Sequence, residues 1–246
     1  MLTKQRQEQI LKLLEEKGSI TVTEVKELLH TSVSTARRDI TALDQEGKLV
    51  KVFGGAVAVE QKMVPYEYTV AQKSEQNREE KKCIAKYAAS LIEPGDFVFL
   101  DAGTTTAYML DYIEEPQVTF VTNGVVHAQR LAREGKKVLL VGGELKASTE
   151  AVIGSLAMRT LKECHFTKGF FGTNGVTKKA GCTTPDLNEA MVKNTAVKQC
   201  ERAYVLCDSS KFDTVSPVTF AAFEEVEYIT ERMLPGYTKC DNIIVL

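Results

Sequence analysis

Five short, mostly apolar runs, each followed by a polar loop and a helical pattern, set the tightest limit on how this chain can fold. They are Phe97-Val98-Phe99-Leu100, Val118-Thr119-Phe120-Val121, Lys137-Val138-Leu139-Leu140-Val141, Gly169-Phe170-Phe171 and Ala203-Tyr204-Val205-Leu206-Cys207. Runs of this kind, without strict apolar–polar alternation, belong to strands covered on both faces. Helical stretches at Thr105 to Ile113, Gly124 to Glu134, Ser155 to Cys164 and Leu187 to Cys200 lie between them. The pattern predicts an α/β open parallel sheet with helices on both faces. Ligands of such sheets sit beyond the C-terminal strand ends.

The predicted strand-end loops carry candidate ligand-binding residues. The first is Asp101-Ala102-Gly103-Thr104-Thr105-Thr106, and the second is Thr122-Asn123-Gly124. Gly142-Gly143, Gly172-Thr173-Asn174-Gly175 and Asp208-Ser209-Ser210-Lys211 follow. Glycines that let backbone come close, with hydroxyls and free amides, suit a small anionic ligand. Neither the GxGxxG fingerprint nor the GxxxxGK[ST] loop is present, which argues against dinucleotides and P-loop nucleotides.

The first fifty-odd residues read differently. A helix from about Lys4 to Lys17 shows Ile10, Leu11 and Leu14 as its apolar stripe. Thr21-Val22-Thr23-Glu24 is a capping box that starts a second helix with Val25, Leu28 and Leu29 inside. His30-Thr31 then leads to Ser32, the expected N-cap of a third helix that stops at Gly47. Two short helices joined by so tight a turn predict a helix-turn-helix. Ser32, Ser34, Thr35 and Arg38 are placed to face base edges or phosphates. Arg37 and Arg38 have the charge and fork geometry for phosphate or guanine, and Asp39 is expected to hold one of them. Two β-rich runs around Gly54-Gly55 predict a hairpin, a wing whose Lys48 and Lys51 would meet phosphate.

The segment Ser32 to Ala56 resembles the N-terminal signature of the DeoR family of bacterial transcriptional repressors, with Ser32, Thr35, Arg37, Arg38, Asp39 and Gly54-Gly55-Ala56 matching. Where that family often places histidine before the Gly-Gly, this chain has Phe53, for which a packing role is expected. The strand-end loops, with Thr183-Thr184-Pro185-Asp186, resemble the effector domain of the same family, which is related to ribose-5-phosphate isomerase. By these motifs the chain resembles the branch of fructose-operon repressors. The resemblance implies a fructose-1-phosphate inducer. It further implies that Gly103 to Thr106 hold phosphate while Asp101, Asn123, Asn174, Glu189, Lys193 and Lys211 surround the sugar.

The expected organisation is a winged helix-turn-helix over 1–58, a linker over 59–78 and a sugar-phosphate effector-binding and oligomerisation domain over 79–246. The expected partners are operator DNA, a sugar phosphate and a second or further copies of the chain, as homodimer or homotetramer. A net charge of −2 argues against a non-specific nucleic-acid coat but not against a local basic patch. No apolar window reaches the ~20 residues of a membrane span, and the chain is expected in the cytoplasm. The six cysteines lack CxxC spacing, so no metal, disulfide or cofactor is expected.

The rival is a sugar-phosphate isomerase. Glu189 and Lys193, four apart on a predicted helix, could supply a base and a cation. An i,i+4 ion pair worth ~0.3–0.5 kcal/mol is the plainer expectation. The loop Gly172 to Gly175 also lacks the acid found in the related isomerases.

Overall fold

A computed structural model describes residues 3–17, 19–57, 62–63, 69–115 and 117–246. The chain divides into two units, Met1–Gln61 with Leu234–Cys240, and Lys62–Met233 with Asp241–Leu246.

The first unit begins with α1 (Thr3–Lys17), β1 (Ser19–Thr21), α2 (Val22–Leu29) and α3 (Val33–Gln45). A hairpin of β2 (Val50–Val52) and β3 (Gly55–Val57) follows. The strands form an antiparallel sheet in the order β1-β3-β2, with Val57 opposite both Ser19 and Val50. Strand β1 is too short to carry a sequence signal, yet it ties the hairpin to the start of α2. Gly55 permits that closeness, because a methyl group there would run into the Ile20 carbonyl. The expected apolar stripes meet in one core of Ile10, Leu14, Ile20, Val25, Leu29, Ala36, Ile40, Leu43, Leu49 and Ala56. Leu28, expected inside, is 42% exposed.

The second unit opens with β4 (Lys62–Met63), α4 (Val70–Glu75) and α5 (Arg78–Ser90). Helix α4 lies in the stretch expected to be a linker, and Thr69 and Gln72 form a capping box at its start. There follow β5 (Phe97–Leu100), α6 (Thr104–Met109), β6 (Thr119–Thr122), α7 (Val125–Arg133) and β7 (Lys137–Leu140). Next come β8 (Glu144–Lys146), β9 (Ala151–Ile153), α8 (Ser155–Lys162), β10 (Phe166–Gly172), β11 (Gly175–Thr177) and β12 (Gly181–Thr184). The remainder is α9 (Leu187–Val197), β13 (Cys200–Leu206), β14 (Thr214–Val215), β15 (Val218–Ala221), β16 (Glu227–Thr230) and β17 (Ile243–Val245).

All five expected runs are strands of one parallel sheet, in the order β17-β16-β13-β10-β5-β6-β7. Strands β16 and β17 were not foreseen. Alternation along the strands sends Val98, Leu100, Phe120, Phe170 and Tyr204 to one face, where Ile84, Ala85 and Ala88 of α5 and Leu131 of α7 cover them. Phe99 and Phe171 take the other face, their rings 5.4 Å apart. The chain runs from β5 outward to β7, and from β10 outward in the opposite direction. The switch point of the sheet therefore lies between β5 and β10, and the crevice for a ligand opens there.

Candidate functional sites

In the first unit, sequence fixes the helix starts. The Thr21 amide donates to Glu24 Oε2 at 2.7 Å and the Glu24 amide returns a bond to Thr21 Oγ1 at 3.1 Å. Lys17, at 2.8 Å, together with the Thr21 donors holds the Glu24 carboxyl down at about 2. His30, in the left-handed region at φ 47°, turns the chain between α2 and α3. Ser32 Oγ then accepts from the Thr35 amide at 3.2 Å and bonds to the hydroxyls of Ser34 and Thr35 at 2.8 and 2.9 Å. Arg37 and Arg38 are both exposed.

Asp39 departs from expectation. It is buried at 1% exposure and pairs with Arg6 of α1 at 2.6 and 3.0 Å, not with Arg37 or Arg38. The reason is helical geometry, since neighbours one or two apart do not share a face. The pair bolts α1 to α3. On the wing, Lys51 donates from its amide to Asp44 at 2.9 Å and from Nζ to Thr41 at 3.0 Å, which lays β2 along α3. Lys48 meets Glu46 at 2.5 Å. The hairpin turn is Phe53-Gly54, with Gly54 at φ +82°, and Gly55 already belongs to β3. Phe53 packs against nothing in this unit and is fully exposed, contrary to the packing role expected of it.

In the second unit a cleft opens at the switch point. It is lined by Lys73, Gln76, Lys81, Ala102, Gly103, Thr104, Thr105, Thr149, Gly172, Thr173, Asn174, Glu189, Lys193, Leu206, Asp208 and Lys211. Of the expected residues, Gly103, Thr104, Thr105, Gly172, Asn174, Glu189, Lys193, Asp208 and Lys211 are thus brought together.

Others hold the walls in place. Asp101 is wholly buried, and its Oδ2 accepts from Lys193 Nζ and from the Gly172 amide at 3.0 Å. Its Oδ1 has no partner among the described residues. The Ala102 amide donates to Asn123 Oδ1 at 2.7 Å, which fixes the first loop against the second. Thr106 Oγ1 donates to the Asp101 carbonyl at 2.7 Å and lies 3.1 Å from His127 Nε2. Burial pushes that imidazole down to about 4. Thr122 Oγ1 donates to the Leu100 carbonyl at 2.6 Å and accepts from the Gly124 amide at 3.0 Å.

Gly142 and Gly143 do not line the cleft. They follow β7, the sheet's edge strand, and Gly143 packs against the Ile153 carbonyl. Gly175 does not line it either, because it sits tight under the Thr214 carbonyl. These glycines serve close packing, which a strand-end pattern cannot tell from ligand approach.

The expected Glu189–Lys193 ion pair is replaced by longer-range partners. Lys193 binds Asp101 and the Gly172 carbonyl, the latter at 3.0 Å. Glu189 accepts from the Thr149 hydroxyl and lies 3.6 Å from Lys146. Helix α9 turns the two side chains toward different elements.

Sequence reasoning missed Lys73, Gln76, Lys81 and Thr149. Lys81 is the most telling, since it is 3% exposed and donates to the Lys73 carbonyl. Burial pushes its ammonium down to about 8; Asp208 opposes that push, and Lys211 and Lys73 add to it. A signal was present, because Lys81 precedes Ile84, Ala85 and Ala88 by three, four and seven residues and so shares their apolar stripe. Asp208 is oriented by Asn77 Nδ2 at 2.8 Å and by the Ser210 amide at 3.1 Å. With Lys193 answered by Asp101 and Glu189 by Lys146, the lysines Lys81 and Lys211 outnumber Asp208. The cleft is therefore cationic, with hydroxyl and amide donors beside it.

Among the described residues no cluster of three His, Cys, Asp or Glu could hold a metal ion, and no helix is long and apolar enough to cross a membrane.

Residues 6–62 match the family described as DeoR-like helix-turn-helix domain, and residues 76–232 match the DeoR C terminal sensor domain. The uncharacterized HTH-type transcriptional regulator FruR of Bacillus subtilis (strain 168) is 40% identical over 231 residues, covering 94% of this chain and 91% of that protein. The lactose phosphotransferase system repressor of Streptococcus mutans serotype c is 35% identical over 234 residues, with 94% and 91% covered. Among solved structures, ribose 5-phosphate isomerase A from Methanocaldococcus jannaschii overlays 56% of this chain and 55% of its own, at 17% identity and a TM-score of 0.43. That likeness is too slight to carry chemistry across.

Proposed function

Since the chain belongs to the DeoR family of transcriptional regulators, we propose that it represses a sugar-uptake operon and leaves the operator when a phosphorylated sugar fills the strand-end cleft. The observation that carries the effector half is the cationic cleft at the switch point. Lys81 and Lys211 outnumber Asp208 there, beside Gly103, Thr104 and Thr105. A phosphate dianion answers that excess, and the amide and hydroxyl donors can satisfy its oxygens. The partnerless Asp101 Oδ1 is an acceptor for a sugar hydroxyl. Fructose-1-phosphate is the effector that the resemblance of the strand-end motifs to fructose-operon repressors implies.

For the output half, α3 offers Ser32, Ser34, Thr35, Arg37 and Arg38 to the major groove. Lys48 and Lys51 stand on the adjoining wing. The regulator works in the cytoplasm as a dimer or tetramer, because paired half-sites require paired recognition helices. Effector binding shifts the population toward arrangements that misplace those helices, and ~1–3 kcal/mol of coupling suffices.

Catalysis is no part of this proposal. The relatives are transcriptional regulators, the loop Gly172 to Gly175 holds no acid, and the Glu189 carboxylate is taken up by Thr149 and Lys146. The test is a gel shift on the chain's own upstream region, with and without a panel of sugar phosphates that includes fructose-1-phosphate. Release of DNA by one or a few of them is expected. Binding that ignores the whole panel, with no thermal stabilisation by any member, would refute the effector half.

A further inference from the structure

The apex of the wing presents an aromatic ring that nothing in its own unit covers. Phe53 is fully exposed, and Val50 and Val52 on the adjoining strand β2 are 46% and 42% exposed. Local structure does not ask for an aromatic there. The turn between Val52 and Gly55 needs only Gly54 at φ +82°, and the position before it accepts most residues. Exposed apolar surface of this kind marks a contact site. Its surroundings say which partner. The wing is laid along α3 by the bonds of Lys51 to Thr41 and Asp44, and α3 carries exposed Arg37 and Arg38. An exposed ring on a wing tied to a helix with exposed arginines complements a nucleic-acid groove, whose rims are phosphate and whose interior offers sugar and base faces.

We infer that Phe53 enters the minor groove of the operator as an apolar wedge against a base step, while α3 occupies the adjoining major groove. This rests on the DNA-binding reading above and adds a determinant of specificity to it. A phenyl ring cannot donate to phosphate, so its contact must be with stacked surface. Apolar wedges act by partly unstacking a step, and pyrimidine–purine steps yield most easily. The operator is therefore expected to favour TA or CA/TG at a fixed distance from the major-groove contacts.

The test uses the full-length protein and duplexes that the wild type selects from a random pool. Phe53→Ala should bind them about tenfold or more weakly, with an unchanged thermal midpoint. The slope of log Kd against log salt should also stay unchanged, because an apolar contact releases no counterions. Phe53→Leu, which keeps a wedge, should recover most of the affinity. A pool selected by Phe53→Ala should lose only the flexible-step preference. Binding by Phe53→Ala within twofold of wild type overturns the inference, as does a loss accompanied by a smaller salt slope. A change of oligomeric state in Phe53→Ala, seen by sedimentation, also overturns it by assigning the ring to a contact between copies. If the wild type itself selects no duplex, the DNA-binding reading fails and the wedge with it.

Discussion

Replacing Lys81 with methionine keeps the bulk of the side chain and removes its charge. In the fold, burial lowers the ammonium from its ordinary 10.5 to about 8, against the opposing pull of Asp208. Between pH 8 and 10.5 the unfolded chain holds a proton here that the folded protein has released, so stability rises with pH across that window. Below pH 8 both states are charged, and the fold bears the whole cost. A displacement of that size is worth about 3 kcal/mol in full. Screening by solvent in the open cleft reduces it to about 1–2 kcal/mol. Methionine escapes this cost, but it gives up the hydrogen bond to the Lys73 carbonyl, which returns about 1 kcal/mol. At pH 7 the two proteins should therefore differ by no more than about 1 kcal/mol, and the variant should lose the rise between pH 8 and 10.5.

Ligand binding should change far more. A charged hydrogen bond to a phosphoryl oxygen is worth about 1.5–3 kcal/mol, or roughly 10- to 150-fold in Kd. Urea titrations from pH 7 to 10.5 read the first effect. Calorimetry, with the sugar phosphate that gives the largest thermal shift, reads the second. A Lys81→Met protein that binds this ligand as tightly as wild type, or keeps the alkaline rise in stability, refutes the reasoning.

Three further outcomes are expected. Asp101→Asn removes the partner of a buried ammonium and should cost about 3–5 kcal/mol in urea unfolding; adding Lys193→Met should recover much of it, and no recovery would mean that the pair is not the source. His127, with its imidazole pushed down to about 4 from 6.5 by burial, makes stability fall by about 3 kcal/mol as pH drops from 6.5 to 4. His127→Gln should flatten that limb of the acid-unfolding curve, and an unaltered limb would exclude this histidine as its source. Arg38→Ala should lower the salt slope of operator binding by about 1, and an unchanged slope would strike Arg38 from the phosphate contacts.

What could be read from the chain before folding was whatever repeats locally. The capping box at Thr21–Glu24, the cap at Ser32 and the apolar runs of the sheet depend on residues within a few positions of one another. Their elements stand where expected, within a few residues. The strands β16 and β17 stayed hidden because Glu227-Tyr228-Ile229-Thr230 and Ile243-Ile244-Val245 are short and no helical pattern links them. Among loop glycines, Gly103 and Gly172 line the cleft, whereas Gly142, Gly143 and Gly175 do not. Only the neighbour in space separates the two uses, and no spacing rule records it. Asp39 was misjudged for the same reason, its partner Arg6 being 33 residues away.

The buried charges of the second unit share one logic. Asp101, Lys193 and Lys81 are each less than a tenth exposed, and well-packed apolar residues of the same size would often hold the fold as well or better. Their partners within the protein are incomplete in a consistent way: Asp101 keeps an oxygen without a donor, and Lys81 stays charged at neutral pH beside other lysines. A hydroxyl on one side and a dianion on the other would complete both at once. Such a ligand must stabilise the unit as it binds. Truncating Lys81 should therefore leave the free protein about as stable while abolishing most of the ligand's stabilising effect, a combination that a purely structural lysine would not give.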